Sequence, residues 1–133
     1  LSARPEIGAV VHAHPTFCTA LAICRRELPA CHYMIAAFGG PTVRCAGYAT
    51  FGTAALAREA LAALEGRTAC LLANHGMIAL GETLARAMWR AVELEALARQ
   101  YWHALQLGEP VILSDAQIAE TMRAFEGYGL DEA

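Results

Sequence analysis

Short apolar runs alternate along the chain with longer segments whose apolar residues recur every three or four positions. The run at residues 9–14 predicts a buried strand, which Pro15 ends. Residues 31–38 are ambiguous, with a helix slightly favoured, and a Gly-Gly-Pro break follows them. The other predicted elements are a helix at 16–28, a strand at 43–49, a helix at 53–64, a strand at 68–73, a turn at 74–76 and a strand at 77–80.

The longest periodic segment, residues 83–107, predicts a helix with one apolar stripe. Met88 and Val92 widen this stripe, so the helix could face both a core and a neighbouring subunit. After it, Ser114 and Gln117 have the spacing of a capping box, which predicts a last helix through Phe125. The stripe itself consists of Leu84, Ala87, Ala91, Leu94, Ala98, Tyr101 and Leu105.

Strands separated by helices predict an α/β fold with three layers, αβα. Because short turns join several of the strands, we expect the central sheet to be mixed and largely antiparallel. The 133 residues fit one domain, residues 1–133. The first residue is not Met, and we expect that the domain is partial, with an N-terminal portion missing.

Charge and composition exclude several classes of protein. The net charge of −3 gives no electrostatic reason to expect nucleic acid or an anionic membrane as a partner. No apolar run reaches the length that spans a bilayer, and the first residues do not resemble a signal or transit peptide. The five cysteines contain no CxxC pair, so we expect small buried thiols in a reducing cytoplasm rather than a disulfide framework.

All ten Lys-plus-Arg positions are arginine, so the chain contains no lysine. A Schiff-base mechanism needs a lysine amine. Carbonyl chemistry by this chain's own residues would therefore need another electron sink, and a metal ion could serve.

Three histidines have a spacing that suits a metal site. His12 and His14 are two residues apart on a predicted strand, so their side chains point to the same face. His75 follows another apolar strand in a turn, where Gly76 lets the backbone bend sharply. Three neutral imidazoles around Zn²⁺ leave a position open for substrate, as in catalytic sites. The alternative is three ordinary strand and turn histidines.

Other polar residues are weaker candidates. Tyr33 and Tyr128 could donate a proton to an oxyanion if they are suitably placed. His32 adjoins Tyr33 and could face a site, whereas His103 is expected at a surface or interface of the long helix. Thr53 is expected to cap the helix that follows it.

Several stretches resemble the class II aldolase/adducin family over nearly the whole chain. The HxH and NHG stretches are typical of the superfamily, and HYMIAA and YATFGT favour its fuculose-phosphate branch. The matching segments are residues 10–14, 32–37, 48–53, 74–76, 113–115 and 128–130.

The resemblance implies Zn²⁺ on His12, His14 and His75, with Tyr33 as proton donor and Tyr128 assisting aldehyde placement. It implies a cytoplasmic homotetramer in which a neighbouring subunit lends the tyrosines. The implied reaction is reversible cleavage of a ketose 1-phosphate, such as L-fuculose 1-phosphate, to dihydroxyacetone phosphate and L-lactaldehyde.

Family members also have an upstream segment with a catalytic glutamate and a phosphate pocket, which these residues do not match. Glu6 fits no catalytic position and is interpreted as a loop residue. Two alternatives stay open. One is a sister enzyme, such as a sugar-phosphate 4-epimerase or decarboxylase. The other is a non-catalytic adducin-like module or inactive fragment.

Overall fold

A computed structural model of the chain describes residues 1–126. Its four-stranded sheet is built from β1 (Ala9–Ala13), β2 (Cys45–Ala46), β3 (Ala69–Leu72) and β4 (Gly76–Gly81), in the order β1-β4-β3-β2. β4 is antiparallel to both β1 and β3, and β2 is parallel to β3. The sheet is therefore mixed and largely antiparallel, which confirms the prediction.

In residues 1–126, four α-helices and one short 3₁₀ helix surround this sheet, and α4 packs against the 3₁₀ helix. They are α1 (Thr16–Ile23), the 3₁₀ helix (Tyr33–Phe38), α2 (Ala54–Ala63), α3 (Leu84–Leu107) and α4 (Asp115–Glu126). None of them, within the described part of the chain, is apolar over a length that could cross a membrane.

Side chains that alternate along β3 and β4 point into two separate clusters, one on each face of the sheet. We call these the larger cluster, which includes buried residues of α1, the 3₁₀ helix, α3 and α4, and the smaller cluster, which includes those of α2. The predicted three layers are therefore present. The strands contribute Ala69, Leu71, Met77 and Ala79 to the larger cluster, and Cys70, Leu72 and Leu80 to the smaller one.

Local side-chain caps begin three of the described α-helices, as sequence patterns suggest. The Thr53 hydroxyl accepts a hydrogen bond from the Leu56 N–H at 3.2 Å, and Thr83 begins α3 in the same way. Before α4, the Gln117 N–H donates to Ser114 Oγ at 3.1 Å, and the Ser114 N–H donates to Gln117 Oε1 at 2.8 Å. This reciprocal pair is the predicted capping box.

Two elements are much shorter than predicted. The first helix ends at Ile23 rather than residue 28, because the chain turns into a left-handed conformation at Arg25. The strand predicted at 43–49 keeps two residues, since the Gly47 N–H donates to the Glu59 carboxylate instead of continuing a ladder. The ambiguous segment 31–38 forms the 3₁₀ helix.

Candidate metal centre

His12, His14 and His75 meet at one point of the fold. His12 lies on β1, His14 directly follows that strand, and His75 lies in the turn between β3 and β4. Since β1 pairs with β4, the antiparallel ladder brings these chain segments together. One ring nitrogen of each histidine lies within 4.8 Å of the other two. The sequence prediction that these three side chains converge agrees with this geometry.

The orientation of the His12 ring leaves one nitrogen free for a ligand bond. His12 Nδ1 lies 2.9 Å from the Met77 carbonyl oxygen, to which an Nδ1–H would donate. Nε2 of His12 then faces Nε2 of His14 at 3.2 Å. Two nitrogens that each lie about 2.1 Å from a tetrahedral zinc ion are about 3.4 Å apart. The observed separation therefore suits two ligands of one ion.

Gly76 makes room for His14 in this arrangement. A Cβ atom at Gly76 would contact the Ala13 carbonyl oxygen and would lie 2.8 Å from His14 Cδ2. Any side chain at this position would therefore push against β1 and against the His14 ring. The glycine that lets the turn bend also lets the ring approach it.

Burial lowers the pKa of His75, and the neighbouring His12 and His14 lower it further. A lowered pKa favours the neutral imidazole, which is the form that binds a metal ion. The donor set, its spacing and this preference for the neutral form together fit a divalent metal ion.

The three histidines line a cavity of ≈ 720 Å³ between the sheet and α2. Most of its remaining wall is apolar and comes from α2, the strands and the loop before α2, where Tyr48 and Thr53 add hydroxyl groups. Within residues 1–126, no carboxylate lines this cavity. The lining includes Phe51, Leu56, Ala60, Leu72, Asn74 and Ile78.

Tyr33 lies apart from the histidines in the same chain. It lines a second cavity, of ≈ 730 Å³, with residues of α4, and its side chain is 52% exposed. The ring stacks on His32 at a centroid distance of 4.7 Å, and Phe125 lies 6.4 Å away. Tyr128, the second candidate tyrosine, falls outside the described residues.

The remaining candidate residues, His32, His103 and Glu6, cap a helix, lie at the surface or form an ion pair. His32 caps the 3₁₀ helix, since its Nδ1 accepts a hydrogen bond from the Met34 N–H at 3.0 Å. His103 is exposed on α3, beside Phe17 and Trp102. Glu6 pairs with Arg4 at 2.8 Å, and this hydrogen bond is the main reason for its lowered pKa.

All five cysteines are free, and burial raises the pKa of two of them most strongly. Cys70 reaches a pKa of about 12, and the pKa of Cys18 is also raised, with the Glu95 carboxylate nearby adding to the effect of burial. Thiols with such a raised pKa are poor nucleophiles and poor ligands near neutral pH. The structure therefore gives these two cysteines a packing role.

Sequence patterns did not point to Glu95, although it supports the segment beside His14. Its carboxylate accepts hydrogen bonds from the N–H groups of Phe17 at 2.9 Å and Cys18 at 2.8 Å, in the first turn of α1. Pro15 provides no side-chain cap there. The partners are 78 and 77 residues apart, so no local signal could have found this contact.

The chain as a whole is similar to several known proteins. The family model described as Class II Aldolase and Adducin N-terminal domain matches residues 1–102. A Rhodospirillum rubrum protein named 5-methylthioribulose-1-phosphate/5-deoxyribulose-1-phosphate aldolase is 55% identical over 129 residues, which are 97% of this chain and 58% of that protein. The L-fuculose phosphate aldolase of Escherichia coli K12 is 48% identical over 128 residues, 96% of this chain and 60% of its own length.

Among solved structures, one named L-fuculose 1-phosphate aldolase superposes with a TM-score of 0.90 at 46% identity. The match covers 94% of this chain and 58% of that one. The chain thus spans about three-fifths of the length of the curated relatives it matches.

Proposed function

This chain belongs to the class II aldolase and adducin family, and we propose that it acts as a metal-dependent aldolase on a ketose 1-phosphate. The products would be dihydroxyacetone phosphate and a short aldehyde. The observation that carries the proposal is the convergence of three imidazoles on the wall of one substrate-sized cavity. An adducin-like binding module has no need of such a donor set, which is why we favour an enzyme.

The proposed metal is Zn²⁺, held by His12, His14 and His75. A bound ion would supply Lewis-acid stabilisation of the negative charge that develops on the ketone oxygen when the carbon–carbon bond breaks. His12 would keep its ring direction through the Met77 carbonyl, as ligand histidines usually do through a backbone or carboxylate acceptor.

Metal content tests the site directly. In the purified protein, mass spectrometry should find about one zinc per chain. His75→Ala should lose most of it, whereas His103→Ala, which removes an exposed histidine of α3, should keep it. Equal zinc in wild type and His75→Ala would rule out the assignment.

Tyr33 is proposed as the residue that gives a proton to the aldehyde oxygen in the condensation direction. Within one chain it lies on the side of the larger cluster, away from the histidines. We therefore propose a homotetramer in which Tyr33 of one subunit serves the metal site of the next. Tyr128 is proposed to help place the aldehyde.

A mixing experiment tests this shared site. His75→Ala lacks a metal ligand but keeps Tyr33, and Tyr33→Phe keeps the metal ligands but lacks the phenol. If neighbouring subunits share a site, tetramers reassembled from both variants should regain activity that neither has alone. No recovery, with mixed tetramers shown by native mass spectrometry, would place both groups in one subunit.

Two kinds of substrate are candidates. We propose L-fuculose 1-phosphate, in line with the YATFGT and HYMIAA stretches. The second candidate is 5-deoxyribulose 1-phosphate or its 5-methylthio analogue, which the 55% identical relative is named for. Comparing kcat/KM for these three compounds, and identifying the aldehyde released, would decide between them. Release of a 4-epimer or of carbon dioxide from a related sugar acid would instead indicate a sister enzyme.

The reaction should be blocked by a chelator and insensitive to borohydride, because no lysine in these residues can form an imine. Borohydride trapping of a covalent adduct on this chain would contradict the proposed class of mechanism. The proposed setting is a cytoplasmic enzyme of sugar-phosphate metabolism.

A further inference from the structure

The direction of the His75 ring depends on the turn that presents it. Within residues 1–126 the structure shows no hydrogen bond to this ring, in contrast to His12, whose Nδ1 lies beside the Met77 carbonyl. The His75 backbone N–H donates to the Leu72 carbonyl at 3.0 Å, which closes the turn between β3 and β4. The contacts that fix this turn therefore also fix the position of the His75 ring nitrogen, the third member of the donor set.

Asn74, the residue before His75, attaches the turn to the end of α1. Its backbone is left-handed, with φ at 58°, a conformation that asparagine tolerates better than most residues. Its N–H donates to the Ala22 carbonyl at 3.0 Å. Its side-chain Oδ1 accepts a hydrogen bond from Arg25 Nε, also at 3.0 Å.

Arg25 occupies a position where glycine is the usual residue. The Arg26 N–H donates to the Leu21 carbonyl at 2.9 Å, and the Arg25 N–H donates to the Ala22 carbonyl at 3.0 Å. These two bonds form a Schellman motif, in which the residue at the position of Arg25 must be left-handed. Arg25 adopts φ of 50°, which is strained for a residue with a Cβ.

The contacts of the Arg25 side chain give a reason why arginine, rather than glycine, occupies this strained position. Its Nε reaches Asn74, and its guanidinium lies 5.9 Å from the ring centre of Tyr48, a residue that lines the histidine cavity. Strained backbone persists where the surroundings hold it in place, often beside functional sites. Arg25 and Asn74 are the two non-glycine residues with positive φ in the described part of the chain, and they bond to each other.

We propose that Arg25 and Asn74 are positioning residues that hold the His75 turn in the geometry needed for metal binding. This inference rests on the proposed metal site and names the residues that preorganise its third ligand. Neither residue belongs to the three-histidine donor set. Their effect passes through the backbone of the turn.

Glycine substitutions distinguish a role in positioning His75 from a role in the stability of the fold. Arg25→Gly and Asn74→Gly both keep the left-handed backbone without steric cost, and both remove the side-chain hydrogen bond. We therefore expect the metal-free variants to melt at the wild-type temperature or above it. Their zinc affinity, measured by competition with a chromophoric chelator, should fall by about tenfold, as when a partner of a ligand is removed.

The double variant Arg25→Gly/Asn74→Gly tests whether the hydrogen bond itself matters. If it does, the double variant should bind zinc about as weakly as either single one, because the second change removes a bond that is already broken. Additive losses would mean that the two residues act separately, which would overturn the proposed pair.

The absorption spectrum of bound Co²⁺ is a measurement that a change in overall stability does not affect. The d–d absorption of Co²⁺ reports ligand geometry, so Arg25→Gly should change the shape of the spectrum at saturating metal. The matched control is Arg26→Ala, which removes the neighbouring guanidinium that lies over Tyr101, and it should leave both spectrum and affinity unchanged.

The outcomes distinguish the two proposals. If the wild type binds neither Zn²⁺ nor Co²⁺, the proposed metal site is wrong and this inference falls with it. If the wild type binds metal and the glycine variants match it in affinity and spectrum, the metal site stands and the positioning pair is refuted.

Discussion

On the face of the sheet that packs against α1 and α3, Leu94 and Phe38 are completely buried. On the opposite face, α2 covers only part of the sheet. Val10 there is 43% exposed and Leu61 on α2 is 46% exposed. Alternation along β3 and β4 supplies apolar side chains to both faces, so the difference arises from the helices and not from the strands.

The histidines belong to the more open face. His12 pairs with Ile78, and directly opposite residues of an antiparallel ladder point the same way. Ile78 packs against the smaller cluster and also lines the histidine cavity. The closely packed face therefore holds most of the core, and the loosely covered face contains the cavity that the histidines line.

The largest expected effect is the difference between leucine-to-alanine substitutions on the two faces of the sheet. Leu94→Ala in the larger cluster should lower the free energy of unfolding by about 4 kcal/mol, because the packed surroundings cannot collapse into the hole. Leu72→Ala, equally buried but on the wall of the histidine cavity, should cost only about 2 kcal/mol, since its surroundings are already open. Urea unfolding in the presence of chelator measures both. Equal losses would mean that the two faces are equally well packed.

The second prediction concerns Tyr33, which lies away from the histidine cavity and should affect turnover without affecting metal binding. Tyr33→Phe should slow turnover by about a hundredfold through loss of the phenol proton, while zinc content and melting temperature stay as in wild type. Its ring is half exposed and its hydroxyl is not needed for packing. Steady-state kinetics at saturating substrate give the measurement. Full activity would show that the proton comes from another group.

Glu95 acts on the closely packed face, because it lies on α3 and caps α1, the helix that begins beside His14. Glu95→Ala should cost about 1–2 kcal/mol of stability, as for loss of a helix N-cap. Glu93→Ala, two residues away on α3, is the matched control and should cost less than about 0.5 kcal/mol. If the two variants unfold at the same urea concentration, the cap contributes nothing.

The smallest expected effect is on the pH dependence of the metal-free protein. The folded pKa of His75 is lowered, so the unfolded chain binds a proton more readily. Its contribution to stability is therefore present above about pH 6.5 and declines as the pH falls below that value. With chelator present, His75→Gln should show a flatter fall in the free energy of unfolding between about pH 7.5 and about pH 5.5 than wild type. A slope identical to that of wild type would show that burial and the two neighbouring rings do not perturb His75.

Local patterns predicted much of the fold and the core of the site. The caps at Thr53 and Ser114 depend on residues three positions apart, so they can be read from the chain itself. The shared face of His12 and His14 follows from the two-residue period of a strand. The place of His75 next to them was supported by the family resemblance, since spacing alone left ordinary histidines as an alternative.

What only the tertiary structure decided involves contacts between residues far apart in the chain. The separation of Tyr33 from the histidines depends on where the 3₁₀ helix packs, and no pattern within residues 31–38 states that. The end of α1 at Ile23 and the bond from Arg25 to Asn74, 49 residues away, depend on α1 lying beside the β3–β4 turn. A sequence specifies periodicity and caps through neighbours a few residues apart, whereas the packing of helices on a sheet selects which distant side chains meet.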